Sequence, residues 1–188
     1  GKTKIILESV NEALRQQRSA IVLMPEIALT AQALSTYFAE YGYKCAVIHS
    51  KLSVGERADT YARIRDGRVR VVIGTRSAVF APLTDIGLIV MDEEQEYTYK
   101  SEKSPRYHAR DIARFRCARH GALMLLASAT PSVESYYKAK SGIYHLLTLD
   151  ERFGGTALPT VEIVDITGDL ETDKGRLIGS RLRQKLQS

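Results

Sequence analysis

Residues 87–95 read GLIVMDEEQ, a near-continuous apolar run that ends on three carboxylates and an amide. A run this short, apolar throughout and closed by polar residues, reads as a parallel strand covered on both faces. Four other runs share its texture: AIVLM (20–24), CAVIH (45–49), VRVVIGT (69–75) and ALMLLAS (122–128). Longer helical patterns separate them, over residues 3–17, 28–41, 54–66 and 106–119. Ser53 with Glu56 forms a capping box at the head of the third, and Gly67 is placed to end it. Alternating strands and helices predict an α/β three-layer sandwich around a mainly parallel sheet.

In such sheets ligands collect beyond the carboxyl ends of the strands. Four polar or glycine-bearing segments stand there: PEIALT after Met24, GTRSAVF after Ile73, DEEQ after Met91 and SATPS after Ala127. Asp92 and Glu93, side by side at a strand end, can place one carboxylate on a hydrated Mg²⁺ and the other near an attacking water. Two neighbouring carboxylates resist ionising together, so a cation is expected beside them. Taken alone, the same residues serve equally well as an acidic loop start or helix cap.

The first residues, Gly1-Lys2-Thr3, run straight into a helix. They match the end of the phosphate loop G-x-x-x-x-G-K-[ST], whose other positions are absent. In isolation they read as a helix start, with Thr3 as a cap and Lys2 solvated. Their order changes that: Gly-Lys-Thr into a helix, an Asp-Glu strand end, then Ser-Ala-Thr after the next strand make one coherent signal.

The 188 residues are 44% hydrophobic, enough for a real core and for one domain with a small appendage. No apolar run approaches the roughly 20 residues a bilayer needs, and the N-terminus lacks a secretory layout. A soluble, cytoplasmic protein with no membrane partner is expected. Cys45 and Cys117 lie in patterned segments and read as buried thiols, with no structural metal. Net charge is +5, and its distribution is uneven. Residues 97–120 hold seven basic against two acidic side chains, while the rest of the chain balances at 20 each. After Gly142, IYHLLTLD (143–150) and TVEIVDI (160–166) read as two strands joined by ERFGGTALP. Residues 167–179 read as a flexible connection, and a short helical pattern ends in RLRQKLQS.

The stretches GKT, LMPEIALTAQ, HSKLSVGER, VVIGTRSAVFAPL, LIVMDEEQEYTYKSEKSPRYHARD and LASATPSVES together resemble the first motor lobe of superfamily 2 helicases, specifically the primosomal replication-restart family. PEIALT, GTRSAVFAP and YKSEKSPRYHARD carry most of that specificity. The resemblance implies a RecA-like P-loop fold, here lacking the strand before the phosphate loop. Residues 1–142 would be that lobe, 143–166 its end and the run toward a second lobe, and 167–188 a connector with the start of a further element. It also implies an ATP-dependent DNA helicase moving 3′ to 5′ and assembling the primosome at branched DNA. Gly1, Lys2 and Thr3 would hold ATP, with Thr3 and Asp92 on Mg²⁺ and Glu93 orienting the hydrolytic water. Ser128 and Thr130 would couple hydrolysis to movement between lobes. Thr30, Arg76 and Ser77 would bind strand phosphates. Gln95 would also contact the nucleotide; it stands where the family commonly has histidine, an amide that hydrogen-bonds but takes no charge. Single-stranded and forked DNA, primosome proteins and single-strand-binding proteins are the implied partners, and zinc is expected only elsewhere in an intact protein.

After DEEQ, Tyr97, Tyr99 and Tyr107 interleave with Lys100, Lys103 and Arg106. Flat rings beside cations suit single-strand binding. Tyr99, Lys100, Lys103, Arg106 and Tyr107 are the DNA candidates. The spacing of Arg106, Arg110 and Arg114 also fits a solvated helical stripe, the reading adopted for Arg116 and Arg119. His49, His108, His120 and His145 are scattered and read as structural, and Tyr136 and Tyr137 as packing a helix on the sheet.

Two other classes compete. A non-motor P-loop enzyme, such as a kinase, leaves GTRSAVFAP and the basic loop unexplained. A nucleic-acid-binding module without ATPase activity leaves Asp92 and Glu93 without purpose. Another superfamily 2 translocase is a narrower variant of the first reading. The chain is expected to begin inside its own phosphate site, to break off within an element, and to hydrolyse no ATP alone.

Overall fold

The computed structural model describes residues 1–149, 160–167 and 178–187. The chain divides into two compact units, Gly1–Leu149 and Asp150–Ser188. In the first, each of the five apolar runs is a strand: β1 (Ser19–Leu23), β2 (Cys45–Ile48), β3 (Val71–Gly74), β4 (Ile86–Asp92) and β5 (Leu123–Ala127). Helices α1 (Lys2–Arg15), α2 (Ala31–Tyr41), α3 (Val54–Arg65), α4 (Ala109–His120) and α5 (Val133–Lys140) lie between and beside them. The sheet is parallel throughout, in the order β2-β3-β1-β4-β5.

Alternation along β1 sets the layers. Ala20 and Val22 face one core with Ile6 and Val10 of α1 and Tyr37 and Tyr41 of α2. Ile21 and Leu23 face the other, with Ile64 of α3 and Ala109, Ala113 and Cys117 of α4. A sheet buried on both faces explains why the strands read as unbroken apolar runs. Cys45 and Cys117 are buried free thiols, and burial pushes them up to about 12 and about 11.

Helix starts follow local chemistry. Thr30 accepts the Ala33 N–H at 3.1 Å, and the Ser53–Glu56 capping box forms as the sequence predicts. His108 caps α4 through Nδ1, which accepts the Arg110 N–H at 3.1 Å. Helix α4 therefore begins three residues later than its pattern suggests, and Arg106 stands outside it. Arg116 is no solvated side chain: its guanidinium donates to the carbonyls of Val79 at 2.5 Å and Leu83 at 3.1 Å. Just before β1, Arg18 donates to the carbonyls of Ile86, His120 and Gly121, tying the entries of β4 and β5 together.

Two strand expectations fail. Residues 143–149 and 160–166 have no regular structure, and the last residue of the first run, Asp150, lies outside the described residues. Their apolar side chains are open, Leu147 at 83% and Ile163 at 95% exposure, so neither segment has found a ladder to join. Tyr136 and Tyr137 are also exposed rather than packed on the sheet. Most of the connection read at 167–179 lies outside the described residues. In the second unit the final helix is α6 (Ser180–Gln187), whose Arg181 and Lys185 both pair with Glu162. Among the described residues no helix is long and apolar enough to cross a membrane.

Candidate active site

Strand β4 ends at Asp92, which pairs in register with Ala127 at the end of β5. The acidic turn and the SATPS segment therefore meet at one edge. Glu93 then takes a φ of 47°, left-handed and uncommon for a residue with a β-carbon. That bend turns its carboxylate toward α1, where Lys2 Nζ donates to Oε1. Lys2 Nζ also stands 3.8 Å from Asp92 Oδ1. The cation required beside two carboxylates is thus Lys2.

A line of hydrogen bonds continues from Glu93. Gln95 Nε2 donates to Glu93 Oε2 at 3.0 Å, and Gln95 Oε1 accepts from Ser128 Oγ at 2.6 Å. Ser128 Oγ in turn accepts the Thr130 N–H at 2.9 Å. Lys2, Glu93, Gln95, Ser128 and Thr130 form one connected array. The carboxylates differ in character. Hydrogen bonds from Lys2 and Gln95 hold Glu93 below the usual carboxylate range. Burial pushes Asp92 above it, against the opposing pull of Lys2.

Thr3 and Asp92 share a cleft of about 280 Å³ with Met24, Thr30, Gln32, Ala33, Thr36 and Tyr37. A hydroxyl and a carboxylate facing one space form an oxygen-only donor set, the kind a hard divalent cation prefers. Thr30 lies in this cleft, capping α2. Gln32 and Thr36 were missed by sequence reasoning because only the α2 turn brings them to the same opening.

A family model described as DEAD/DEAH box helicase matches residues 1–139. The chain belongs to the DEAD/DEAH box helicase family. Its sheet with the acidic turn at the end of β4 is the RecA-like α/β fold of such a helicase. Over 187 residues it is 42% identical to the replication restart protein PriA of Bacillus subtilis (strain 168), covering 100% of this chain and 23% of that protein. The PriA of Treponema pallidum (strain Nichols) is 44% identical over 95% of the chain and 27% of its own length. That of Chlamydia pneumoniae is 41% identical over 96% and 24%. The chain spans about a quarter of the length of these curated relatives.

In this helicase domain the basic loop after DEEQ is partly ordered by its own backbone. Lys100 and His108 form an antiparallel bridge, and the Ser101 N–H donates to the Tyr107 carbonyl at 2.7 Å. Lys100, Lys103 and Arg106 are exposed. Tyr107 sits edge-on to Phe80 at 5.0 Å, with the Arg76 guanidinium 5.8 Å from its ring centre. Arg76 also donates to the carbonyls of Thr98 and Lys100, so it braces the loop as well as charging it. Ser77 lies half-buried in the turn Arg76–Phe80. Tyr99 is a correction. It is 1% exposed, its hydroxyl 2.6 Å from the Asp92 carbonyl and 3.0 Å from that of Leu23, so its ring offers no face to a base. Tyr97, 79% exposed, is the free ring of the pair.

Arg110 is resolved where its spacing left two readings open. It is not part of a solvated stripe but forms an ion pair with Glu94, whose side chain is 1% exposed. The signal for this pair in the sequence is the third carboxylate, directly after Asp92 and Glu93, which calls for a further cation.

Proposed function

We infer that this chain is the first motor lobe of an ATP-dependent DNA helicase of the replication-restart type, working in an intact, cytoplasmic protein that moves 3′ to 5′. Primosome and single-strand-binding proteins are its proposed partners there. The observation that carries the reading is the array from Lys2 through Glu93 and Gln95 to Ser128 and Thr130. It joins the residue suited to a phosphate, the base suited to a water and the segment leading into α5. A binding module has no use for such a line.

Mechanistically, Lys2 answers the two carboxylates until a nucleotide arrives. Its ammonium then turns to the β- and γ-phosphates beside the α1 N-terminus, whose free N–H groups favour anions. Magnesium, held by Thr3 and Asp92 when bound, supplies neutralisation of the phosphate charge. Glu93, released from Lys2 and still hydrogen-bonded by Gln95, orients and deprotonates the attacking water. Gln95 touches both Glu93 and Ser128, so a shift of either is felt by the other. The exposed Lys100, Lys103 and Arg106 with Tyr97 and Tyr107 are proposed to hold the DNA strand, and Thr30, Arg76 and Ser77 its phosphates. Residues 1–142 are proposed as the lobe, 143–166 as its end and the run toward a second lobe, and 167–188 as a connector with the start of a further element.

The test is ATP turnover with forked DNA. The intact protein is expected to hydrolyse ATP in a DNA-stimulated way and unwind the fork, and the 188 residues alone to show no turnover. Joint replacement of Lys100, Lys103 and Arg106 by alanine in the intact protein should flatten the slope of log affinity against log salt by about 2 units. An unchanged slope removes these residues from the DNA interface.

A further inference from the structure

Directly beyond the two carboxylates, Glu94 is 2% exposed and charged, yet the hydrolytic chemistry gives it no task. Every polar atom it has is engaged. Its N–H donates to the Ala127 carbonyl at 3.1 Å. Its carbonyl accepts from Arg110 Nη2 at 3.0 Å. Its carboxylate pairs with the same Arg110 nitrogen, accepts the Ser132 N–H at 2.7 Å and accepts the Ser135 hydroxyl at 3.0 Å, with Ser132 Oγ at 3.2 Å. One residue thus ties the end of β5, the first turn of α4 and the first turn of α5 to the acidic turn.

Stability alone is a poor reason for this cluster. A buried ion pair seldom stabilises more than apolar side chains of the same volume, because both charges are stripped of water. Geometry is a better reason. The preceding residue, Glu93, is held at a φ of 47°, which a β-carbon disfavours, and such a bend persists only where its surroundings fix it. With N–H, carbonyl and carboxylate all held, Glu94 fixes the peptide that enters it from Glu93.

We propose that Glu94, clamped by Arg110, Ser132 and Ser135, is a positioning residue that imposes the left-handed bend at Glu93 and so sets where the Glu93 carboxylate stands. The inference rests on the hydrolytic reading of Glu93. It assigns Arg110, on the helix that follows the basic loop, and Ser135, on the helix that follows SATPS, to the same joint.

The experiment uses the intact protein and measures three quantities: nucleotides bound per chain with a fluorescent ATP analogue, KM for ATP, and DNA-stimulated kcat per bound site. The first variant, Glu94→Met with Arg110→Met, removes both charges while keeping volume. The second, Ser135→Ala, leaves the ion pair intact and removes one hydrogen bond. The double variant is expected to bind one nucleotide per chain with KM within about twofold of the unaltered protein, and to lose at least about tenfold in kcat per site, since displacing a reacting group by 1 Å costs on the order of 100-fold. Ser135→Ala is expected to lose about threefold or more in the same split, and it decides the matter if the double variant does not fold. Smaller losses in kcat per site, or losses that follow nucleotide stoichiometry, overturn the positioning role. Absence of DNA-stimulated turnover in the unaltered protein overturns the hydrolytic reading itself and this inference with it.

Discussion

Replacing Gly74 by alanine is expected to cost more than about 3 kcal/mol of stability, the upper range for forcing extra volume into a packed core. Gly74 closes β3, a strand flanked by β1 on one side and β2 on the other. An added β-carbon would lie 1.9 Å from the Ile48 carbonyl oxygen, 2.9 Å from its carbon and 2.8 Å from Ala78 Cβ. None of these is the end of a flexible side chain. The Ile48 carbonyl accepts the Thr75 N–H at 3.1 Å, and the Gly74 carbonyl accepts the Met24 N–H at 2.9 Å, so relief requires breaking the ladder on one side or the other. Thermal unfolding should show a Tm lower by about 10 °C or no cooperative transition at all. Gly55→Ala is the control. It lies in the first turn of α3 with nothing within 4 Å of its added carbon, and the substitution should be neutral or slightly stabilising. Equal losses from the two variants would show that the close approach at Gly74 has been misjudged. The consequence reaches the site, because Gly74 leads into Thr75, Arg76 and Ser77, and a shifted backbone there would move the guanidinium that braces the basic loop.

What could be read in the sequence and what could not divide along physical lines. Five buried parallel strands announce themselves because both faces must be apolar, and a run such as residues 87–91 satisfies that without reference to any neighbour. Caps were legible for the same local reason: Ser53 and Glu56 need only each other. Residues 143–149 and 160–166 carry strand-forming composition too, but a strand exists only through its partner, and their exposed side chains show that composition without a ladder decides nothing. Within the candidate site, short motifs marked Lys2, Asp92 and Glu93, and the structure brings the three side chains together. Tyr99 and Tyr107 looked alike in sequence. One is buried with its hydroxyl between two strand-end carbonyls and the other lies edge-on to Phe80 with Arg76 over its ring, a distinction fixed by the path of the chain between them. Arg110 was hidden for a related reason. Its partner lies 16 residues away, and the serines that complete the cluster are 38 and 41 residues from Glu94. A four-residue spacing to Arg114 was the visible pattern, and it was the less informative one.

Glu93→Gln in the intact protein is expected to reduce DNA-stimulated ATP turnover by about 100-fold or more, the range for loss of a general base, while leaving DNA affinity within about twofold. The substitution changes little in shape. Its side-chain oxygen can still accept from Gln95 Nε2, so the connection onward to Ser128 and Thr130 survives. What disappears is the charge. In the native site Lys2 and Gln95 keep the Glu93 carboxyl below the usual range, so at neutral pH it is an ionised acceptor ready for a water proton. An amide has no such capacity. Lys2 loses its shorter-range partner and keeps only Asp92, 3.8 Å away, which frees the ammonium for phosphate and should preserve or tighten nucleotide binding. The basic loop touches neither atom, so strand binding is untouched. This pattern separates the remaining readings. Lost turnover with retained nucleotide and DNA affinity places Glu93 at the hydrolytic step of a motor. Unchanged behaviour in every assay would return the chain to a binding module whose acidic turn is structural. Parallel loss of nucleotide and DNA binding would mean that the carboxylate supports the fold of the cleft rather than its chemistry.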